Sequence, residues 1–240
     1  PPGSTFKPFM ALAALELGKR SPEYSMSDPG YFSLPGVDRR YRDWKPGGHG
    51  RVNLHKSLVV SCDTYYYSLA NDLGIDNIHN FISQFGLGKK TGIDIEGEVS
   101  GLLPSAGWKM KQYKQKWYAG DTISVAIGQG YNLTTPLQLA FATMMIANNG
   151  KAYQPRLVKQ IQNSQSGHIA DVPAKLLYTL NLKPAHLEIV KNALVDVTRP
   201  GGTAAKAGNN STYSFAGKTG TSQVIGIKQG ERYNEKSINE

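Results

Sequence analysis

Apolar residues at Phe6, Phe9, Met10, Ala13, Ala14 and Leu17 repeat at the i, i+3, i+4 spacing of one helix face, which predicts an amphipathic helix over 6–18. Gly18 stands where such a helix stops. Packing that face would leave the N-terminal turn, with Ser4 in it, at a cleft beside the positive end of the helix dipole. The period then vanishes. Residues 19–50 are rich in Gly, Pro, Asp and aromatics and predict an ordered but irregular excursion. A stretch of that length in a compact domain is functional or anchored.

Helical periodicity returns over 52–60, breaks at Ser61-Cys62-Asp63, resumes over 64–73 before Gly74, and recurs over 76–85 with Ile78, Phe81, Ile82 and Phe85 on one face. A polar break between two helices presents a hydroxyl into a cleft. Residues 91–104 read as an extended loop, and Gly128 and Gly130 imply a tight backbone path between them. Thr134-Thr135-Pro136 opens a helix running to about Asn149, and a further helix over 185–198 is stopped by Arg199-Pro200-Gly201-Gly202. Residues 213–222 read as a strand, whose alternation sends Thr219 and Thr221 one way and Lys218 the other. Gly220 between them leaves room for another backbone to approach.

Composition adds bounds. A chain of 240 residues with 40% apolar and 19% charged positions is globular and can bury a sizeable core. It has no apolar run long enough to cross a bilayer and no signal-peptide pattern. It opens on Pro1-Pro2-Gly3, and the expectation is a piece of a longer protein. The 27 Lys and Arg outweigh 18 Asp and Glu, so the net charge of +9 favours an anionic partner. With no zinc-finger, RNP or recognition-helix pattern, nucleic acid is excluded as that partner. The densest basic run, Lys109, Lys111, Lys114 and Lys116, reads as a solvated mobile loop. Cys62 is the only cysteine, which excludes an internal disulfide.

The candidate chemistry starts at Ser4-Thr5-Phe6-Lys7. A serine and a lysine three apart share a helix face, so Lys7 can sit against the Ser4 hydroxyl and remove its proton. Alone, the spacing equally describes a helix N-cap beside a surface lysine. Ser61-Cys62-Asp63 and Lys218-Thr219-Gly220-Thr221 then follow in order, and that ordered triple is the motif set of penicillin-binding proteins and class A β-lactamases.

On these residues, with Ile127-Gly128-Gln129-Gly130 and Thr135-Pro136, the chain resembles the transpeptidase domain of class B penicillin-binding proteins. The match extends over nearly all of 1–240. Asp63 stands where the family usually has Asn, and an aspartate there is similar to the cell-elongation subgroup. The resemblance implies an α+β fold, a five-stranded antiparallel sheet packed between helices, here truncated at both ends. It also implies flanking sequence that carries a membrane anchor, a pedestal domain and the closing strands. The implied place is the periplasmic face of the bacterial inner membrane. Implied partners are peptidoglycan stem peptides ending in D-Ala-D-Ala, β-lactams, the glycosyltransferase RodA and the scaffold MreC.

The implied reaction is acyl transfer through an ester on Ser4. Lys7 acts as base, Ser61 with Asp63 beside it relays a proton to the leaving nitrogen, and Lys218 lies beneath. The backbone N–H groups of Ser4 and Thr221 hold the oxyanion. Thr219 and Thr221, with Gly220 leaving space, bind the terminal carboxylate. Competing activities are a serine β-lactamase or D,D-carboxypeptidase, which send the acyl group to water, and a β-lactam sensor that acylates once.

The ordinary reading of Cys62 is a small buried thiol. Yet Asp28, Asp43 and His49 in the excursion would complete with it a four-ligand set suited to tetrahedral zinc, closed and therefore structural. Asp38 and His55 are the alternatives within reach. The elongation subgroup is similar in carrying zinc at positions matching Asp28, Asp43, His49 and Cys62. No organic cofactor is expected.

Overall fold

The structure is a computed structural model and describes residues 1–209 and 211–223. A one-turn 3-10 helix, Gly3–Phe6, runs directly into α1, Lys7–Glu16. The expected one-sided helix is instead buried on every side from Lys7 through Leu15. It packs against α3 and α7 together, and a helix enclosed in this way has no solvent face to keep polar. Leu17, 41% exposed, lies past the helix end and does not belong to its core face. Phe9 meets Phe85 edge to face at 5.3 Å, and burying one such side chain contributes about 2–3 kcal/mol.

The excursion is less irregular than its composition predicts. It holds β1 (Ser25–Asp28), β2 (Tyr31–Ser33), β3 (Arg40–Arg42) and, at its end, β4 (Gly50–Asn53). β1 pairs antiparallel with β4, and β2 with β3 nests between them. Strands of three or four residues are too short to display alternation. A two-stranded ribbon is marginal alone, and these are steadied against α3.

Two helices follow. α2, Leu54–Val59, is capped by the Asn53 side chain, which accepts from Lys56 N–H. α3, Asp63–Ile82, merges the two stretches expected at 64–73 and 76–85, with Gly74 at φ 73° as the kink between them. Further along are α4 (Ala106–Tyr113), α5 (Ala119–Ala126) and α6 (Pro136–Ala147), the last opened by a capping box between Thr135 and Gln138. β5 (Lys151–Tyr153) pairs with β8 (Leu176–Thr179), and β6 (Gln160–Gln162) with β7 (Ile169–Asp171). α7, Pro184–Val197, and α8, Ala205–Asn209, follow.

The α+β class stands, with one correction. The described residues form four two-stranded ladders. Residues 213–222 carry no strand pairing, because no neighbouring strand lies beside them among the described residues. The basic run also divides: Lys109 is a buried residue of α4, ion-paired with Asp121 at 2.6 Å and facing Trp117, Tyr118 and Tyr131, while Lys111, Lys114 and Lys116 are exposed.

Candidate active site and metal cluster

Three backbone segments meet around Ser4, and glycine lets them meet. Gly3 N–H donates to Gly128 O at 2.9 Å. Gly128 sits at φ 70°, and a Cβ there would stand 2.2 Å from Gly3 O. A Cβ on Gly220 would stand 2.7 Å from Thr5 Cγ2, which bears out the space foreseen at that position. Ser4 is half-buried in the 3-10 turn. Its side chain caps neither that turn nor α1, so the ordinary N-cap role is not realised.

Ser61 is the junction of the polar groups. Its backbone adopts φ 55°, a left-handed conformation uncommon outside glycine and characteristic of functional sites. Its hydroxyl accepts from Lys218 Nζ at 2.9 Å and from Lys7 Nζ at 3.2 Å. Lys7 Nζ also donates to Ser61 O at 2.8 Å and to Asp63 Oδ1 at 2.6 Å. The three donors of this fully buried ammonium are therefore directed at Ser61 and Asp63, and none at Ser4. Burial, and next the Lys7 charge, depress the Lys218 pKa to about 7, although Asp63 opposes the shift. Lys218 is thereby poised to exchange a proton near neutrality.

The loop before the second motif holds that motif in place. The Trp44 indole N–H is shared between Val60 O and Ser61 O, both at 3.1 Å, and Trp44 N–H donates to Asp63 Oδ2 at 3.2 Å. α3 has no side-chain cap of its own. Asp43 Oδ2 supplies it from across the loop, accepting from Asp63 N–H at 2.7 Å and Thr64 N–H at 3.1 Å.

On the opposite wall, Thr219 Oγ1 shares a hydrogen bond of 2.8 Å with Thr203 Oγ1, and Thr203 N–H donates to Val59 O at 3.2 Å. Thr198 Oγ1 donates to Phe215 O, and Gly217 N–H to Leu194 O, both at 2.9 Å, which ties the segment to α7. Gln129 Nε2 donates to Thr221 O at 2.9 Å, and Gln129 Oε1 accepts from Gln223 N–H at 3.2 Å. Thr221 N lies 3.1 Å from where a Gly3 Cβ would be, so this peptide abuts the nucleophile turn.

Sequence reasoning gave no role to Trp44, Thr203 or the Gln129 side chain. Trp44 follows a candidate ligand, Thr203 follows a glycine pair and Gln129 lies between two glycines, but a side chain's target in distant sequence leaves no local period.

The second cluster brings together all four foreseen residues. Ligand atoms of Asp28, Asp43, His49 and Cys62 lie within 4.8 Å of one another. His49 Nδ1 is 2.8 Å from Asp28 Oδ2 and 3.4 Å from Asp43 Oδ1, and Cys62 Sγ is 3.3 Å from Asp28 Oδ2. All four side chains are buried. Burial, and then the Asp43 and Asp28 carboxylates, push the Cys62 thiol far up. Gly48, at φ 75°, lets the loop close on the cluster, since a Cβ there would stand 2.2 Å from Asp28 O. Of the alternatives, His55 is engaged elsewhere, 2.9 Å from Asp196.

Two lysines thus share one serine hydroxyl, and the glycine-cleared third motif abuts the turn that bears Ser4. The penicillin-binding protein transpeptidase domain model matches residues 1–239, and the chain belongs to that family. It is 44% identical to the peptidoglycan D,D-transpeptidase MrdA of Acinetobacter baumannii, with all of this chain aligned to 35% of that protein. The chain thus spans little more than a third of such relatives. Among solved structures, Pseudomonas aeruginosa PBP2 in complex with WCK 5153 is 43% identical with a TM-score of 0.84, over 93% of this chain and 50% of that one. PBP2 in its complex with MreC from Helicobacter pylori is 31% identical with a TM-score of 0.79, over 93% of this chain and 40% of that one.

Proposed function

We propose that the protein of which this chain is the transpeptidase domain cross-links peptidoglycan stem peptides during cell elongation, through an acyl ester on Ser4, and is acylated by β-lactams. The observation that carries this is the Ser61 hydroxyl held between a lysine of the first motif and a lysine of the third. Ser4 attacks the penultimate D-Ala carbonyl. Its proton passes to Lys7, once the Lys7–Ser61–Lys218 chain has moved a proton on to neutral Lys218. Ser61 then returns a proton to the departing D-Ala nitrogen, and an amine of a neighbouring stem attacks the ester and restores Ser4. Backbone N–H groups of Ser4 and Thr221 carry the oxyanion, where one donor is typically worth about 3 kcal/mol of barrier. Thr219 and Thr221 take the terminal carboxylate, and Asp63 balances the buried Lys7 charge.

The same reading includes a structural zinc held by Asp28, Asp43, His49 and Cys62. The donor set fits: two carboxylates, an imidazole nitrogen and a sulfur converge in a buried site, and a dication resolves the opposition between acids and thiol. When bound, zinc would keep Cys62 as thiolate and fasten the loop. This chain's own Asp43 and Trp44 would then carry that order to α3 and Ser61.

The setting proposed is the periplasmic face of the bacterial inner membrane, with MreC and the glycosyltransferase RodA as partners. The MreC complex of a similar protein supports the first. No helix among the described residues is long and apolar enough to cross a membrane.

The test is mass spectrometry of the complete protein with benzylpenicillin. A stable adduct on Ser4, absent in Ser4→Ala, is expected. No adduct overturns the reading, and an adduct hydrolysed within seconds assigns a β-lactamase instead.

A further inference from the structure

Beside residues 221–223, which follow the third motif, stands the side-chain amide of Gln129. Gln129 donates to Thr221 O at 2.9 Å and accepts from Gln223 N–H at 3.2 Å. A donor to one carbonyl and an acceptor for the N–H two residues on is the pair of bonds that one residue of a parallel strand would make.

The amide is rigidly mounted. Gln129 N–H donates to Ser124 O at 3.0 Å, and Gly128 N–H to Val125 O at 2.9 Å, so the tripeptide is an extension of the end of α5. Gly128 and Gly130, at φ 70° and 67°, turn the backbone so that residue 129 leaves the helix. The same tripeptide grips the nucleophile turn through Gly128 O and Gly3 N–H.

We propose that Gln129 is a positioning residue for acyl transfer, its amide acting as a one-residue strand that sets the Thr221 peptide against Ser4. In an extended chain the N–H and C=O of one residue share an edge. Holding Thr221 C=O toward Gln129 therefore also fixes the Thr221 backbone, whose O, C and N are the atoms nearest to where a Gly3 Cβ would stand, next to Ser4. The inference rests on the acyl-Ser4 reading, in which that N–H is an oxyanion donor. Gln129 never touches the reacting atoms. It acts through the donor it aims.

The experiment compares native protein with Gln129→Met and Gln129→Glu, all as the complete protein, in single-turnover acylation by benzylpenicillin. Methionine keeps the length and loses both bonds. Glutamate keeps an acceptor for Gln223 N–H but turns a repelling oxygen on Thr221 C=O. Both are expected to slow the acylation step by about 10- to 100-fold, as for a misplaced oxyanion donor. The affinity of the complex before acylation should change by less than about threefold, and the melting temperature should hold, a split that general loosening of the fold would not produce.

Hydrogen exchange gives a second readout. The Gln223 amide should be protected in the native protein and in Gln129→Glu, and exchange faster in Gln129→Met. An acylation step within about twofold of native in both variants overturns the proposal. So does a faster step, which would make the amide a plug that substrate displaces. If either variant fails to fold, an unprotected Gln223 amide in the native protein overturns it and a protected one supports it. Failure of native protein to form any Ser4 adduct removes the transpeptidase reading itself, which separates the two failures.

Discussion

Lys218 Nζ lies 2.9 Å from Ser61 Oγ, although 157 residues separate them. That contact makes one proton network of the second and third motifs, and Lys7 extends it to the first. The division of labour it implies differs from the simplest expectation, in which Lys7 alone faces Ser4. Lys7 is the ion-paired member, bound to Asp63, and Lys218 is the member poised near neutrality.

The pH dependence follows. With a Lys218 pKa of about 7, acylation of Ser4 should rise as pH climbs through 7 and level off above it. Lys218→Arg, which stays charged, should lose that limb and most activity. Stability has the same sign: between about 7 and 10.5 the unfolded chain holds a proton that folded Lys218 does not, so the fold gains stability as pH rises through that window. Stopped-flow acylation and denaturant unfolding at several pH values check both. An acylation rate flat from pH 6 to 8 contradicts the assignment.

Asp63 balances a lysine with no solvent access. Asp63→Ala leaves that ammonium buried without its counter-ion, and should cost about 3–5 kcal/mol in urea unfolding. Asp63→Asn keeps a carbonyl oxygen for Lys7 and should cost clearly less. Equal costs would show that the charge of Asp63, and not its oxygen as a hydrogen-bond acceptor, is what matters.

Zinc content should be close to one per chain and should fall in Cys62→Ser. Chelation should lower the melting temperature and expose residues 28–49 to protease, since the ribbons there have little core of their own. Because Asp43 caps α3 and Trp44 holds Ser61 O, chelation should slow acylation as well. Native protein that is metal-free and just as stable contradicts the site.

Thr203 Oγ1 and Thr219 Oγ1 share a hydrogen bond, beside the position proposed for the substrate carboxylate. Thr203→Val keeps the shape and removes the partner, which should cost about 1 kcal/mol in binding of a D-Ala-D-Ala substrate. The loss should appear in KM, with kcat little changed. A change confined to kcat would move Thr203 from binding into the chemistry.

Gly128 has two reasons to be glycine, its positive φ and the Gly3 carbonyl where a Cβ would stand. Gly128→Ala should push the nucleophile turn away from residues 218–221 and reduce acylation by about 100-fold, on the scale of a 1 Å misplacement. Near-native acylation in a folded Gly128→Ala would show that the turn tolerates the shift.

Much of the site was legible because its chemistry is carried by short motifs. Ser4 and Lys7, Ser61 and Asp63, and Lys218 to Thr221 declare themselves by residue type and spacing, as do the glycines that clear space between them. The four possible metal ligands declared themselves through one cysteine and an excursion rich in acids. Trp44, Thr203 and Gln129 did not, because their partners lie 17, 16 and 92 residues away and a tryptophan, threonine or glutamine has many ordinary uses.

The chain by itself determined the family, the order of the three motifs and most helix boundaries, since these rest on local period, capping and motif order. Only the tertiary structure decided the rest. It enclosed α1 on all sides, made ribbons of the excursion, and directed Lys7 to Ser61 and Asp63. Each of these is a choice among contacts distant in sequence. Such choices depend on which buried charges must be balanced and which backbones can approach, and no local pattern of residues records that.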